Sequence, residues 1–457
     1  MSKLIEPRTL KGFRDYPPAL MIPRERVLET ARRVYRSYGY APIDTPALEY
    51  SEVLLGKGGG ENDKIVYRFQ DHGDRDVALR FDLTVPFARF AASEVPKLGM
   101  PFKRYAMGPV WRGENTGHGR YREFWQCDFD TIGTTSNASD IEVALVINDL
   151  FTALEIPNFQ IRVNNRHLLN GLMELGGVRQ HSVSLLRALD KLPKIGREAV
   201  TLELLAIPNI DPKAVDILLY ITQFQGDNQQ ILELFGDMFV KPEFPEGFTH
   251  DLETARVWTD TGVRNLRDLL EVTKAAGVPD GRIKIDLSIA RGLDYYTGTI
   301  YETFLTDKPD FGSVCSGGRY DNLASLYTRQ VLPGVGASLG VDRLLAAMEA
   351  MGHPWLSGTT TPAKVLVIQF DATKLGEYQR IARDLRAGGI ATEVYPDAGK
   401  KLKAQFEYAD KRGFRLVVIA GSDEFANGVV KVKDLAKREE VTVPTAELVA
   451  RVNTMLV

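Results

Sequence analysis

Apolar residues recur every three to four positions between residues 20 and 39, at Val27, Ala31, Val34 and Tyr35. That spacing predicts an amphipathic helix, with Gly39 placed to end it. The next stretch, APIDTPALEY, is predicted extended, because Pro42 and Pro46 disfavour a helix. Residues 64–83 alternate apolar and polar in two runs, KIVYRFQD and DVALRFDL, across the polar turn DHGD, which is the pattern of paired strands. Helical spacing returns in TVPFARFAASEV. Strands are predicted over about 102–113 and 121–133, joined by a loop rich in Gly, Asn and Thr, and a helix near 138–155. From about 170 to 255 the chain is Leu-rich and helical, with no cluster of reactive residues. It lies between strand-rich segments, as an inserted module would. Strands resume at IKIDLSIA, GTIYETFL and GVGASLG, and the last leads into the helix DRLLAAMEAM.

The pattern changes near residue 355. The segment GHPWLSGTTTPA is rich in Pro, Gly and Thr, and residues 356–363 read as a linker. Beyond it, KVLVIQF, ATEVYP and RLVVIAG are short apolar strands separated by helical patterns, which predicts a small α/β domain over 364–457. Residues 1–355 read as a larger α+β domain of antiparallel strands and flanking helices, carrying the helical insertion at about 170–255.

Composition narrows the picture. At about 150 residues per domain, 457 residues predict two to four domains, and a hydrophobic fraction of 44% suffices for a sizeable core. The formal net charge of −3 requires any basic nucleic-acid surface to be local. Cys127 and Cys315 are too few for a disulfide framework and read as buried thiols. The six histidines lack metal-ligand spacing, so no zinc site is expected and no side chain is assigned to a metal. No secretory signal is visible in MSKLIEPRTLKGFRDYPP, and there is no apolar run of about 18 residues, so a cytoplasmic protein with no membrane span is expected.

Candidate chemistry concentrates in FKRYAMGPVWRGENTGHGRYREFWQCDFDTIG, residues 102–133. Alternation along the second strand puts Arg122, Phe124, Gln126, Asp128 and Asp130 on one face, and Trp125, Cys127 and Phe129 on the other. Arg112 and Glu114 share a face near the end of the first strand. Such a surface suits a ligand with phosphates, a flat base and an ammonium group, because burying it without partners is costly. An ordinary solvated sheet face explains the alternation equally well. In ALRFDLTVPFARF, Arg80, Asp82 and Thr84 share a face; Asp82 suits an α-ammonium, while Thr84 also suits a helix N-cap. Arg291 stands just before Tyr295 and Tyr296 in ARGLDYYTGTIYET, placed to clamp a carboxylate or phosphate, or simply exposed beside an aromatic turn. In GVGASLGVDRLL the glycines allow close backbone approach. Arg343 falls in the first turn of a helix, where a cation opposes the dipole unless an anion binds there. The glycine-rich GKGGGEN is not a phosphate-binding P-loop.

Together with KGFRDYPP, TPALEY and CSGGRYDNL, these segments resemble the class II aminoacyl-tRNA synthetases, and within them the histidyl-tRNA synthetases. ARGLDYYTG is similar to the histidine enzymes in particular, whereas WRGEN and GVDRL mark the class. The tail segment KKLKAQFEYADKRG resembles the anticodon-binding domain of this subgroup. The resemblance implies an antiparallel catalytic sheet, a homodimer joined through the segment holding Pro46, and a ligase that activates L-histidine with ATP and Mg2+ and charges histidine tRNA. It assigns Arg112, Glu114, Arg120, Phe124 and Arg343 to ATP, with Arg112 and Arg291 at the reacting atoms. Asp82, Thr84, Gln126, Asp130, Tyr295 and Tyr296 would line the histidine pocket, together with those two arginines. Some bacterial relatives carry Glu where Asp130 stands. In the tail, Lys400, Lys401, Lys403 and Phe406 are the candidates for tRNA, although a run of charge is also what a solvated helix shows. The competing implication is a synthetase-like, non-catalytic regulatory subunit of ATP phosphoribosyltransferase. Such proteins usually lack the C-terminal domain and the catalytic arginines.

Overall fold

The computed structural model describes residues 4–56, 64–208, 210–239, 251–289 and 295–456. They form two compact units, Met1–Phe13 with Val27–Met351, and Arg14–Arg26 with Gly352–Val457.

The first helix, Pro18–Ser37, buries the predicted stripe of Val27, Ala31, Val34 and Tyr35. Gly39 follows with φ 80°. The chain then runs through β1 (Ala41–Pro42) and β2 (Leu48–Tyr50). Next come β3 (Arg68–Gln70) and β4 (Asp76–Leu79), which are paired antiparallel as predicted. After the helix Thr84–Leu98 come the two long strands β5 (Phe102–Trp111) and β6 (Glu123–Ile132). The remaining strands of this unit are β7 (Phe159–Asn165), β8 (Ile283–Ile285), β9 (Thr299–Leu305), β10 (Ser313–Tyr320) and β11 (Gly334–Gly340).

An 8-stranded sheet orders them β1-β5-β6-β11-β10-β9-β7-β8, while β2, β4 and β3 form a smaller sheet. The pairs from β5 to β7 are antiparallel; the outer pairs β1–β5 and β7–β8 are parallel. The helix Asn137–Ala153 covers part of this sheet, burying Val143, Val146, Ile147 and Leu150. Both cysteines are buried free thiols.

Two features differ from the sequence pattern. Strand β7 is not among the predicted strands, although FQIRVNN alternates; the two asparagines at its end and a following Leu-rich helix mask the period. The helices also extend past residue 255. The helix Leu252–Ala275 is the longest described, capped by Asp251, whose carboxylate accepts from the Thr254 N–H at 3.0 Å.

The second unit holds β12 (Val365–Val367), β13 (Thr392–Val394), β14 (Leu416–Ile419), β15 (Val429–Asp434) and β16 (Glu439–Pro444). Their order is β13-β12-β14-β15-β16, parallel across the first three and antiparallel beyond. Strands fully apolar in sequence, such as LVVI, are those buried on both faces, as parallel pairing between helices requires. Val365, Val367, Tyr378, Ile381, Leu385 and Val418 form the core on one side.

Candidate active site

The alternation of β6 becomes a cavity wall. Phe124, Gln126 and Asp130 all face a cavity of about 390 Å3 built over the middle of the large sheet. The hairpin is held in register by Arg112 N–H donating to the Arg122 carbonyl at 2.8 Å. This places Arg112 and Glu114 on the same cavity. Asp82 and Thr84 enter from the start of the helix Thr84–Leu98, Tyr295 and Tyr296 from the turn before β9, and Arg343 from the first turn of the helix Val341–Ala350. Arg120 completes the set. Every predicted ATP or histidine residue within the described chain therefore lines one cavity. Arg291 lies outside the described residues.

The arginines are close enough to feel one another. Burial, then the neighbouring charges of Arg120 and Arg112, push the Arg343 guanidinium below its usual range. Its Nη1 donates to the Ser313 carbonyl at 2.6 Å. Arg112 donates from Nε to the Phe81 carbonyl at 2.8 Å, and its guanidinium carbon lies 5.1 Å from the centre of the Phe124 ring. Arg120 lies 3.7 Å from Glu114. Three like charges converging on one cavity repel one another unless an anion is bound.

The other part of the cavity is acidic and aromatic. Asp82 is buried, and burial raises its carboxyl above the ordinary range. Its Oδ1 accepts from the Val85 N–H at 2.9 Å, and its Oδ2 lies 3.5 Å from the Tyr295 hydroxyl. Gln126 donates from Nε2 to Ser338 Oγ at 2.8 Å, leaving its buried Oε1 without a partner among the described residues. Asp130 accepts from the Tyr320 hydroxyl at 2.6 Å. Tyr295 packs edge-on against both Tyr296 and Tyr320, at 5.1 and 5.9 Å between ring centres. Close backbone approach matters at Gly336, on the strand beside Asp130. A Cβ there would lie 2.3 Å from both Asp130 Oδ1 and the Phe129 carbonyl.

Several expectations change. Arg122 leaves the face it was read on, its Nε reaching the Glu114 carbonyl at 3.3 Å. Asp128 is buried beneath the cavity rather than lining it. Arg80 turns away from Asp82 and donates to the carbonyls of Pro109 and Thr45, because β4 ends at Leu79 and the chain bends there. Thr84 does not cap its helix; Asp82 does. Tyr320, Glu302, Ser338 and Asp190 line the cavity and were not assigned. Tyr320 stood within CSGGRYDNL, and only pairing of β10 with β11 brings it to Asp130.

In the second unit, Lys400, Lys401 and Lys403 are exposed around the start of the helix Leu402–Arg412. Phe406 is half-buried against Leu366 and Val417 and has Lys433 5.0 Å from its ring centre, so it is largely committed to packing. Tyr408, the second aromatic of that run, hydrogen-bonds Glu393 and accepts from Arg412 at 3.0 Å.

Comparison with known proteins bears on the family and the fold. The histidyl-tRNA synthetase family profile matches residues 12–344, and an anticodon-binding-domain profile matches residues 364–455. A histidine–tRNA ligase of Rhodopirellula baltica is 52% identical over 436 residues, 95% of each chain. One from Treponema denticola is 43% identical over 460 residues, 99% of each. The crystal structure of histidyl-tRNA synthetase from Nostoc sp. PCC 7120 superposes with a TM-score of 0.86 at 34% identity, covering 99% of this chain and 100% of that one. The architecture is that of a class II aminoacyl-tRNA synthetase with a C-terminal anticodon-binding domain. Within that class, the chain belongs to the histidyl-tRNA synthetase family.

Proposed function

We propose that this chain is a histidine–tRNA ligase whose catalytic centre is the cavity described above. One observation carries the residue assignment: three arginines and a pocket of carboxylates, an amide and tyrosines open onto a single cavity. Arg112, Arg120 and Arg343 bind the triphosphate, Phe124 stacks on adenine, and Glu114 accepts from its amino group. Asp82 takes the α-ammonium of histidine, with Thr84 and the free Oε1 of Gln126 beside it. Asp130, Tyr295 and Tyr296 enclose the imidazole.

The reaction needs no protein nucleophile. A carboxylate oxygen of histidine attacks the α-phosphorus, and the bond from that phosphorus to the bridging oxygen breaks. Pyrophosphate leaves and histidyl-adenylate remains. A ribose hydroxyl of the tRNA's terminal adenosine then attacks the acyl carbon, AMP departs, and the hydroxyl proton is released. The protein contributes positioning and stabilisation of charge building on phosphate oxygens, for which guanidinium groups are suited. Arg112 and, by its place in sequence, Arg291 serve at the reacting phosphate.

Glu114 and Glu302 are the carboxylates that act on Arg343 electrostatically. No group of three metal-ligating side chains exists among the described residues. One or two carboxylates beside substrate phosphates are the donor set Mg2+ accepts; with Glu114 engaged by adenine, Glu302 is the carboxylate that would hold it. When bound, it would neutralise phosphate charge. Residues 1–355 act as the catalytic domain and 364–457 as the tRNA-reading domain. A homodimer working in the cytoplasm completes the reading.

ATP–pyrophosphate exchange measured with each of the twenty amino acids tests it. L-histidine alone should support exchange, and Arg291→Ala should slow it about 100-fold with the fold unchanged. Exchange driven only by another amino acid overturns the assignment.

A further inference from the structure

Beneath the amino-acid pocket lies a cation that β5 carries in an otherwise mostly apolar run. Arg104 is 0% exposed, deeper than any other charged residue described. It stands directly opposite Asp130 in the β5–β6 ladder. Its Nη2 lies 2.6 Å from Asp130 Oδ2 and 4.0 Å from Asp128 Oδ2, and donates to the Leu83 carbonyl at 3.2 Å. The guanidinium carbon is 4.3 Å from the centre of the Phe87 ring. Nε and Nη1 have no hydrogen-bond partner among the described residues.

This is a poor arrangement for stability. A buried guanidinium with unsatisfied nitrogens is costly, and apolar groups of similar volume usually serve a core as well or better. Two buried carboxylates facing one guanidinium also leave the cluster short of positive charge. The arrangement makes sense if something on the cavity side of Asp130 supplies N–H donors. Asp130 is meanwhile confined: Tyr320 donates to Oδ1, Arg104 forms an ion pair with Oδ2 that lacks hydrogen-bond geometry, and the backbone of Gly336 closes off the space beside it. A carboxylate has about four acceptor sites, so one side remains for a ligand.

We propose that Arg104 is a positioning residue for amino-acid selection, holding Asp130 as a fixed, ionised acceptor for the ring N–H of an imidazole side chain. The inference rests on the histidine reading above. The charged and titratable groups around Asp130 are Arg104 on β5, Asp128 on β6, Tyr320 on β10, Tyr296 before β9, Asp82 before the helix Thr84–Leu98, and Tyr40 before β1. Burial pushes Asp130 up, and Arg104 is the largest influence opposing it. Without the guanidinium, Asp130 takes a proton at higher pH and changes from acceptor to donor. Titration of the substrate's own groups is common to every variant, so differences between variants report on the pocket.

The test is histidine-dependent exchange by the full-length protein as wild type, Arg104→Lys, Arg104→Met and the double variant Arg104→Met/Asp128→Asn. The double variant removes one charge of each sign and keeps the comparison open where the single one does not fold. Loss of one buried hydrogen bond to the ring predicts a histidine KM raised about 10-fold or more. The ATP KM should stay within about twofold. The acid limb of kcat/KM for histidine should move to higher pH, and Arg104→Lys should recover part of both effects. A folded double variant with wild-type histidine KM and an unmoved acid limb overturns the proposal. So does an equal rise in both KM values, which marks a general structural role. A wild type with no histidine-dependent exchange removes the underlying functional reading instead.

Discussion

Arg343 illustrates what a single residue contributes. It occupies the first turn of its helix, against the dipole, and is half-buried beside two further arginines. That placement is unfavourable by itself and would be relieved by a bound anion. Removing it should therefore cost transition-state stabilisation rather than folding. Arg343→Ala is expected to lower kcat for exchange by about 10²–10³, with an undiminished melting temperature; calorimetry and exchange kinetics check the two halves. Glu302 makes the complementary case. Burial, then Asp190 and Asp286, raise its carboxyl to about 7 from an ordinary 4.5. The folded state thus binds a proton that the unfolded state has lost between those values, and stability falls as pH rises through that window. Glu302→Gln should melt higher than wild type at pH 8, with the difference shrinking towards pH 5, in thermal scans at both pH values. A constant difference would show that Glu302 is not the group responsible. At this scale the chain was legible where a charge sits oddly for its local element, as Arg343 does. Arg104 offers a related signal, a cation opening onto an apolar run in FKRYAMGPVW, but its meaning depends on the strand laid beside it.

Among elements, the β5–β6 hairpin carries most of the site because strand alternation sends every second side chain to one face. Phe124, Gln126 and Asp130 follow from that rule. The rule fails past strand ends: Arg122 lies just before β6 begins at Glu123, and Arg80 just after β4 stops at Leu79. β11 passes so close to β6 that Gly336 has no room for a side chain. Gly336→Ala should destabilise the protein by about 1–3 kcal/mol through overpacking, and should weaken histidine use by displacing Asp130. Chemical denaturation and the histidine KM measure these effects; a variant normal in both would mean that β11 can yield there. The helical insertion was recognised as helical but not as reaching the cavity, which it does through Asp190, the residue closing the helix Ser182–Leu189.

Across the whole molecule, the two units have separate cores. On the proposed function, charging should require both, whereas exchange should require the cavity alone. Replacing Lys400, Lys401 and Lys403 together by alanine should raise the KM for histidine tRNA while leaving exchange unchanged. It should also flatten the salt dependence of tRNA binding by about one logarithmic slope unit per lost phosphate contact. Filter binding at several salt concentrations would show this, and unchanged tRNA binding would move the interface elsewhere. Phe406 is a weaker candidate for base stacking than its spacing suggested, since one face of the ring packs on the core.

Hydrophobic period and residue type determine most of the element types and bring Phe124, Gln126 and Asp130 to one face of β6, while Arg120 enters the cavity set only through the family resemblance. The element types and that shared face follow from local rules, the alternation of a strand and the turn of a helix, that need no knowledge of what lies alongside. The tertiary structure decided what those rules cannot express: that Arg104 faces Asp130, that Tyr320 closes the same pocket, and that Asp82 rather than Thr84 caps its helix. The first two depend on register between segments far apart in sequence, whereas the Asp82 cap is a local contact with the Val85 N–H. Burial there removes the water that would otherwise make the choice of partner energetically unimportant.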